Sequence, residues 1–378
     1  MRKNLITALI VFTLLMPAFP KVGAVETSAS AVILMDGDSG RVLYQKNADE
    51  VRLIASITKL MTALVAAERC SDLSKVVTVR PEWLVTEGSS IYLTAGEEII
   101  VETLLYGLLL ESGNDAATVL ACSLAGSVEE FAGWMNEKAA ELGMSNSSFA
   151  NPSGLNADGH YSTARDMAVL AAACLENELV ANICATKHIT FGTRTFTNHN
   201  RLLSLYDGCV GMKTGYTQRA GRTLVSAAKR NGQTLIAVTL NDPNDWKDHM
   251  VLFDYGFSTY PVQTMCVEGE RIRRVPIYAS LVRVGDIVAA ERFSYPLKEG
   301  ETLRREILCC DVLEAPVAAG QTVGKAVYYL EEREVGSVDL VCLQSIRRDV
   351  LGERTLLQRI LSAILGETVT VFHRADLT

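Results

Sequence analysis

RTLVSAAKRNGQTLIAVTLND, Arg222 to Asp242, sets two apolar runs on either side of Asn231-Gly232. An Asn-Gly pair accepts the left-handed backbone of a two-residue turn, so the segment reads as a hairpin and its strands as antiparallel. A second hairpin is legible in AVILMDGDSGRVLYQKN (31–47), around an Asp/Gly/Ser-rich turn. Helical patterns fill the space between them. LIASITKLMTALVAAE (53–68) places Leu53, Ile57, Leu60, Met61 and Leu64 on one face. Residues 93–126 read as helix, short break, helix, and 127–144 as an amphipathic helix ending at Gly143. STARDMAVLAAACLENELV (162–180) opens with Ser162 or Thr163 as N-cap, and Asp166 follows Thr163 at capping-box spacing. DWKDHMVLFDYGF (245–257) is a closing helix stopped by Gly256. Strands first, helices next and a hairpin last predict an α+β fold, an antiparallel sheet with helices beside it.

From Pro261 the texture changes. RRVPIYASLVRVGDIVAAERFSYPL (273–297) and GKAVYYLEEREVGSVDLVCL (324–343) alternate apolar and polar residues, with Gly269, Gly285, Gly300, Gly320 and Gly336 at turn spacing. This predicts a small all-β domain over 261–346 behind a first domain at 25–260. At the other end, Arg2 and Lys3 precede an apolar run, and KVGA (21–24) ends in short side chains suited to a cut after Ala24. That is the layout of a secretory signal peptide, residues 1–24, and implies an exported, extracytoplasmic protein. An uncleaved anchor is the other reading; Pro17 and the short run weigh against it. No cysteine near the cut suits a lipoprotein anchor. The tail (347–378) contains VLGERTLLQRILSAILG, where Val350, Leu357, Ile360, Leu361, Ile364 and Leu365 share a face that Glu353, Arg354 and Gln358 interrupt. It reads equally as an in-plane membrane anchor or as a helix docking on the β domain.

The 378 residues carry a net charge of −8, which leaves no basic footprint for nucleic acid. Nine cysteines, with no CxxC and several in apolar helix positions such as Cys122 and Cys174, read as buried thiols in a cell that meets little oxygen. The adjacent pair Cys309–Cys310 has no account.

The chemistry starts inside the apolar run. Ser56 and Lys59 are three apart, hence neighbours on a helix surface, and a lysine is rarely buried without a purpose. A serine hydroxyl needs a base within reach, and an amine desolvated by an apolar helix can serve. Alone the SxxK pattern is weak, expected by chance about once in such a chain. Two further groups follow in order. Ser112-Gly113-Asn114 sits in the break between two helical runs, and Lys213-Thr214-Gly215 begins the strand before the hairpin. The latter offers an ammonium and a hydroxyl to an anion, and Gly215 permits close approach of a ligand backbone.

SxxK, SxN and KTG in this order resemble the penicillin-binding protein and serine β-lactamase superfamily. ASITKLMTALV, LLLESGNDAA, NPSGLNADGHYSTARDMAVLA and GMKTGYT with AGRTLVSAA resemble more narrowly the low-molecular-mass D-alanyl-D-alanine carboxypeptidases, over about residues 28–345. Ser153 stands where that family often has histidine, and Leu53 where it has proline. The resemblance implies that Ser56 attacks the bond between the last two D-alanines and Lys59 takes its proton. It implies that Ser112 relays a proton to the leaving D-alanine with help from Lys213, and Asn114 holds the substrate amide. Lys213 and Thr214 would bind the terminal carboxylate, and the amides of Ser56 and Tyr216, beside Gly215, would form the oxyanion hole. The implied partners are peptidoglycan stem peptides and β-lactam antibiotics, with the membrane surface a further one.

Two other functions compete. A β-lactamase would need a deacylating glutamate; ENELV (176–180) resembles that motif but has Val180 in place of asparagine and the wrong position, so it reads as a solvated helix end. A non-catalytic penicillin-binding sensor or wall-binding module would not need the intact site. Five scattered histidines without HExxH, His160 read as structural among them, lead us to expect no metal and no cofactor.

Overall fold

Asn231 (φ +52°) and Gly232 (φ +77°) both lie in the left-handed region and turn one antiparallel strand into the next. The structure is a computed structural model describing residues 25–84 and 87–349. The leader (1–24) and the amphipathic stretch from 350 onward, both expected above, lie outside the described residues.

The chain opens with β1 (Ala31–Asp36) and β2 (Val42–Lys46), then α1 (Lys59–Arg69). A ribbon of β3 (Val76–Thr78) and β4 (Glu98–Ile100) precedes α2 (Val101–Leu109), α3 (Asn114–Ala125) and α4 (Val128–Glu141). Next come α5 (Ala164–Glu176), α6 (Glu178–Ala185), the ribbon β5 (His188–Phe191) with β6 (Arg194–Thr197), and the single turn α7 (Leu202–Leu205). β7 (Cys209–Gly211), β8 (Thr214–Thr217), β9 (Gly221–Arg230), β10 (Gln233–Leu240) and α8 (Asp245–Thr259) complete the domain.

The sheet runs β2-β1-β10-β9-β7, with β8 also on β9, and every pairing is antiparallel. Its central strands do not alternate apolar with polar because both faces are covered. Ile33, Val225, Ile236 and Val238 face the helices of the middle segment, while Leu34, Leu224 and Leu235 face Leu252 and Phe253 of α8. Thr163 is the N-cap of α5, its Oγ1 accepting from the Asp166 amide at 3.0 Å. The Asp166 carboxylate instead accepts from the Asn146 amide and the Ser147 hydroxyl, so only half the capping box forms.

Gly256 does not stop the last helix, which runs on to Thr259. A Cβ there would lie 2.5 Å from Leu235 Cδ1 and 3.0 Å from Leu34 Cδ2, so the glycine lets the helix press onto the sheet. ENELV is a junction: Asn177 caps α6 by accepting from the Val180 amide at 3.1 Å, Val180 is buried, and Glu176 and Glu178 are exposed.

The second domain comprises β11 (Val262–Cys266), β12 (Arg271–Tyr278), β13 (Val284–Ala289), β14 (Phe293–Pro296), β15 (Leu303–Cys309), β16 (Leu313–Glu314), β17 (Thr322–Leu330) and β18 (Arg333–Cys342). Six of these form a sheet in the order β15-β17-β18-β13-β12-β16 around its own core, while β11 pairs with β14. Gly269, Gly300 and Gly320 are turn residues with positive φ, but Gly285 and Gly336 lie inside strands. Gly336 makes room for the ring of Phe293, 2.5 Å from where its Cβ would be. Arg41, in the turn of the first hairpin, ties the domains together by donating to the Pro296 carbonyl and pairing with Glu301 at 2.7 Å. All nine cysteines are free thiols; Cys174, Cys184, Cys266 and Cys342 are buried, and the others, Cys122 included, are half-buried or partly so.

Candidate active site

The expected helix of residues 53–68 is in fact two pieces. Ala55–Thr58 form one 3₁₀ turn, and the α-helix begins at Lys59. Ala55 has φ +50°, a conformation that costs a non-glycine residue about 1–3 kcal/mol and persists only where the surroundings impose it. Here three segments do so. A Cβ on Gly154 would lie 2.1 Å from the Ala55 carbonyl oxygen, and one on Gly215 would lie 2.9 Å from the Ser56 amide nitrogen. Thr223 Oγ1 donates to the Ile54 carbonyl at 3.0 Å. The close approach that Gly215 permits thus includes the turn carrying Ser56.

Lys59 is fully buried at the foot of that turn and donates from Nζ to three acceptors. They are Ser56 Oγ at 3.0 Å, Asn114 Oδ1 at 2.7 Å and the Ser153 carbonyl. Burial first, and the charge of Lys213 second, push its pKa well below the usual lysine value, with Asp115 opposing. Because Ser153 contributes its main-chain oxygen while its hydroxyl turns to Asn151 Oδ1, the departure from histidine at this position leaves the contact intact.

Asn114 opens α3 and is pinned at both ends of its amide, since Nδ2 donates to the Glu87 carbonyl at 2.8 Å. Ser112, in the break before it, has φ +63° and is buried. Asp115 was not singled out from sequence, yet it sets this region. Its carboxylate accepts from the amides of Ile91, Leu93 and Ala116 and from the Ser90 hydroxyl at 2.6–3.0 Å, folding the 88–93 loop over the start of α3. The available signal was an acidic residue in a first helical turn.

Lys213 lies between β7 and β8 on a kink marked by Met212 at φ +91°. It keeps the ladder through two main-chain bonds with Val225, of 3.0 and 2.9 Å, while its buried Nζ donates to the Thr214 carbonyl at 2.9 Å. Burial lowers its pKa to about 7, held up by the nearby Cys184 and Glu111. Glu111 is itself anchored by the Thr197 amide and lies 3.3 Å from His199 Nε2. Of the expected residues, Ser56, Lys59 and Asn114 are joined by hydrogen bonds, Gly215 touches the Ser56 turn, and Lys213 acts on Lys59 through its charge. Ser112, Thr214 and Tyr216 are placed by adjacency, with Tyr216 64% exposed at the rim.

His160 is structural, as expected, but it stands one residue from the chemistry. Its Nδ1 accepts from the Ala150 amide at 3.1 Å, so Nε2–H donates to Thr58 Oγ1 at 2.8 Å. Burial and the Lys59 charge lower its pKa to about 4; burial alone lowers His249, clasped between Ser226 and Thr239 beneath the sheet, to about 3. In an NMR titration of the imidazole signals, these two rings are expected to stay neutral until the pH falls near those values; midpoints near 6.5 would contradict the burial described. Among the described residues, no group of three or more His, Cys, Asp or Glu side chains is arranged to hold a metal ion.

A hydroxyl 3.0 Å from a desolvated amine, with a second buried lysine whose charge acts on that amine, is an arrangement suited to a serine hydrolase. A family profile described as D-alanyl-D-alanine carboxypeptidase matches residues 19–244, and one described as the C-terminal domain of penicillin-binding protein 5 matches 260–348. The chain belongs to the D-alanyl-D-alanine carboxypeptidase family. It is 33% identical to the D-alanyl-D-alanine carboxypeptidase DacF of Bacillus subtilis over 344 residues, covering 86% of this chain and 88% of the relative. The identity with DacC of Escherichia coli is also 33%, over 86% of each chain. Penicillin binding protein 5 from Haemophilus influenzae superposes with a TM-score of 0.72 at 28% identity, covering 85% of this chain and 98% of that one.

Proposed function

We propose that this chain is a serine D-alanyl-D-alanine carboxypeptidase that removes the terminal D-alanine from peptidoglycan stem pentapeptides. The observation that carries the reading is the Lys59 amine, 3.0 Å from Ser56 Oγ with its other hydrogens engaged by Asn114 and Ser153. A neutral amine has two N–H bonds and one lone pair. With Asn114 Oδ1 and the Ser153 carbonyl taking the N–H bonds, the lone pair faces the serine hydroxyl. Lys59 then accepts the Ser56 proton as Oγ bonds to the carbonyl carbon of the penultimate D-alanine. Collapse of the adduct breaks the C–N bond, and Ser112, assisted by Lys213, passes a proton to the departing D-alanine amine. Water hydrolyses the acyl-enzyme by the reverse sequence.

Asn114 Nδ2 retains one hydrogen for the substrate amide. The Ser56 and Tyr216 amides stabilise the oxyanion, about 3 kcal/mol per donor. Lys213 and Thr214 hold the free carboxylate, which restricts the enzyme to chain ends. Penicillin acylates the same oxygen and leaves slowly. The leader, Met1–Ala24, delivers the enzyme to the outer face of the cytoplasmic membrane or the wall.

The test is to offer the purified protein a peptide ending in D-Ala-D-Ala, then penicillin, following free D-alanine and the mass of the Ser56 peptide. Released D-alanine with long-lived acylation supports the proposal. Rapid penicillin turnover would make it a β-lactamase, and acylation without peptide hydrolysis a sensor.

Lys213 also sets a pH dependence. Burial brings its pKa to about 7, so loss of the Lys213 proton above about pH 7 should weaken carboxylate binding. The kcat/KM profile is expected to fall on that side. Glu111 holds the Lys213 pKa up, so Glu111→Gln should move the alkaline limb toward lower pH. A limb that stays in place in the variant would refute the assignment.

A further inference from the structure

The turn between β12 and β13 carries four large apolar side chains in the open: Tyr278 (65% exposed), Leu281 (63%), Val282 (41%) and Val284 (45%). They are not left loose. The Asp349 carboxylate accepts from the Leu281 amide at 2.7 Å and from the Ser280 hydroxyl at 3.1 Å, and the Asp349 amide donates to the Ala279 carbonyl. The 345–349 segment is held beside the turn by two main-chain bonds between Val317 and Ile346. An apolar tip fixed in this way has lost its conformational entropy without gaining burial, which marks an interaction surface.

The charge around the tip narrows the partner. Exposed Arg283 lies on the turn, and exposed Arg347 and Arg348 lie on the segment beside it, in a chain of net charge −8. The nearby carboxylates include Asp349, engaged by the turn and 3.4 Å from Arg347, Glu314, opposite Tyr278 in the β12–β16 pair, and Asp286, two residues past Val284 and paired with Arg274 at 2.9 Å. Apolar side chains ringed by guanidiniums suit the boundary layer of a bilayer, where anionic phosphates sit above hydrocarbon. The chain also leaves the described region at this point, and the 29 residues beyond Asp349 begin with the stretch whose sequence has a broad apolar face.

We propose that the β12–β13 turn is an interfacial membrane contact: Leu281 and Val282 enter the headgroup boundary of a bilayer containing anionic lipid, and Arg283, Arg347 and Arg348 pair with its phosphates. The contact is separate from the tail and fixes the height and tilt of the second domain over the membrane. It rests on the proposed action at the membrane's outer face, but not on the chemistry at Ser56.

The experiment uses the full mature chain carrying Leu281→Trp. The parent chain is the baseline, because its three tryptophans, Trp83, Trp134 and Trp246, all lie in the first domain. Vesicles of phosphatidylcholine and phosphatidylglycerol with bromine-labelled acyl chains should blue-shift and quench the added tryptophan and leave the parent signal unchanged. Replacing the three arginines with glutamine should weaken partitioning on the order of 100-fold, about fivefold per charge. Unchanged release of D-alanine from a soluble peptide by Leu281→Trp would show that the fold and the chemistry survive. Bound protein whose added tryptophan escapes quenching would overturn the proposal, since the tail alone would then carry attachment or would cover the turn. Absence of partitioning to any vesicle would overturn it too.

Discussion

Lys59→Met should lose most penicillin acylation, with the Ser56 peptide still largely unmodified when the parent is fully acylated. Methionine fills the same buried slot without an amine, so the loss is chemical rather than steric. Removing a positioned base costs about 10²–10⁴-fold, and here nothing nearby substitutes. Asn114 Oδ1 and the Ser153 carbonyl have no proton-accepting role to take over, and Lys213 donates to the Thr214 carbonyl. Because the serine and the lysine act as one unit, the double variant should be no worse than Ser56→Ala. A Lys59→Met protein that acylates within tenfold of the parent rate would show that another group deprotonates Ser56. Circular dichroism and a melting curve verify that the variant is folded.

The second large effect should come from a residue with no functional group. At Gly154 (φ +86°) an added methyl would sit 2.1 Å from the Ala55 carbonyl oxygen and 3.0 Å from the Ser56 amide nitrogen. Neither neighbour is a flexible side chain, so the 151–155 loop or the nucleophile turn must move. Gly154→Ala is therefore expected to lower the acylation rate on the order of 100-fold, the cost of misplacing a reacting group by about 1 Å. Gly159→Ala is the matched control: its φ is +76°, but nothing lies within 4 Å of the added methyl. It shares the backbone strain, about 1–3 kcal/mol, and should lose stability without losing rate. Equal acylation by the two variants would mean that the loop does not set the position of Ser56.

The contrast between these residues shows what a linear reading can reach. The two hairpins were legible because their turn residues, Asn231-Gly232 and the Asp/Gly/Ser stretch, act locally. The reactive groups were legible because SxxK, SxN and KTG each place chemistry in a short string. Gly256 was misread as a terminator because a glycine's local meaning is a break, while its meaning here is the closeness of α8 to Leu235. Gly215 carries a second meaning of the same kind, since a Cβ there would also meet the turn of Ser56. Asp115 and Glu111 escaped notice because what they do, gathering a loop's amides and facing Lys213 across the break, exists only once distant segments meet. The turn at Ala55 could not be read at all, since its conformation is imposed by Gly154, Gly215 and Thr223.

The grip of a main-chain oxygen on Lys59 bears on how such an enzyme could change under selection. A peptide carbonyl is present whatever amino acid occupies position 153, so a change there that keeps the 151–155 loop in place preserves the contact with the amine. An inhibitor that drew its affinity from a side chain at that position would invite escape at little cost in turnover. One that engaged the same carbonyl would meet an atom that no codon change can remove.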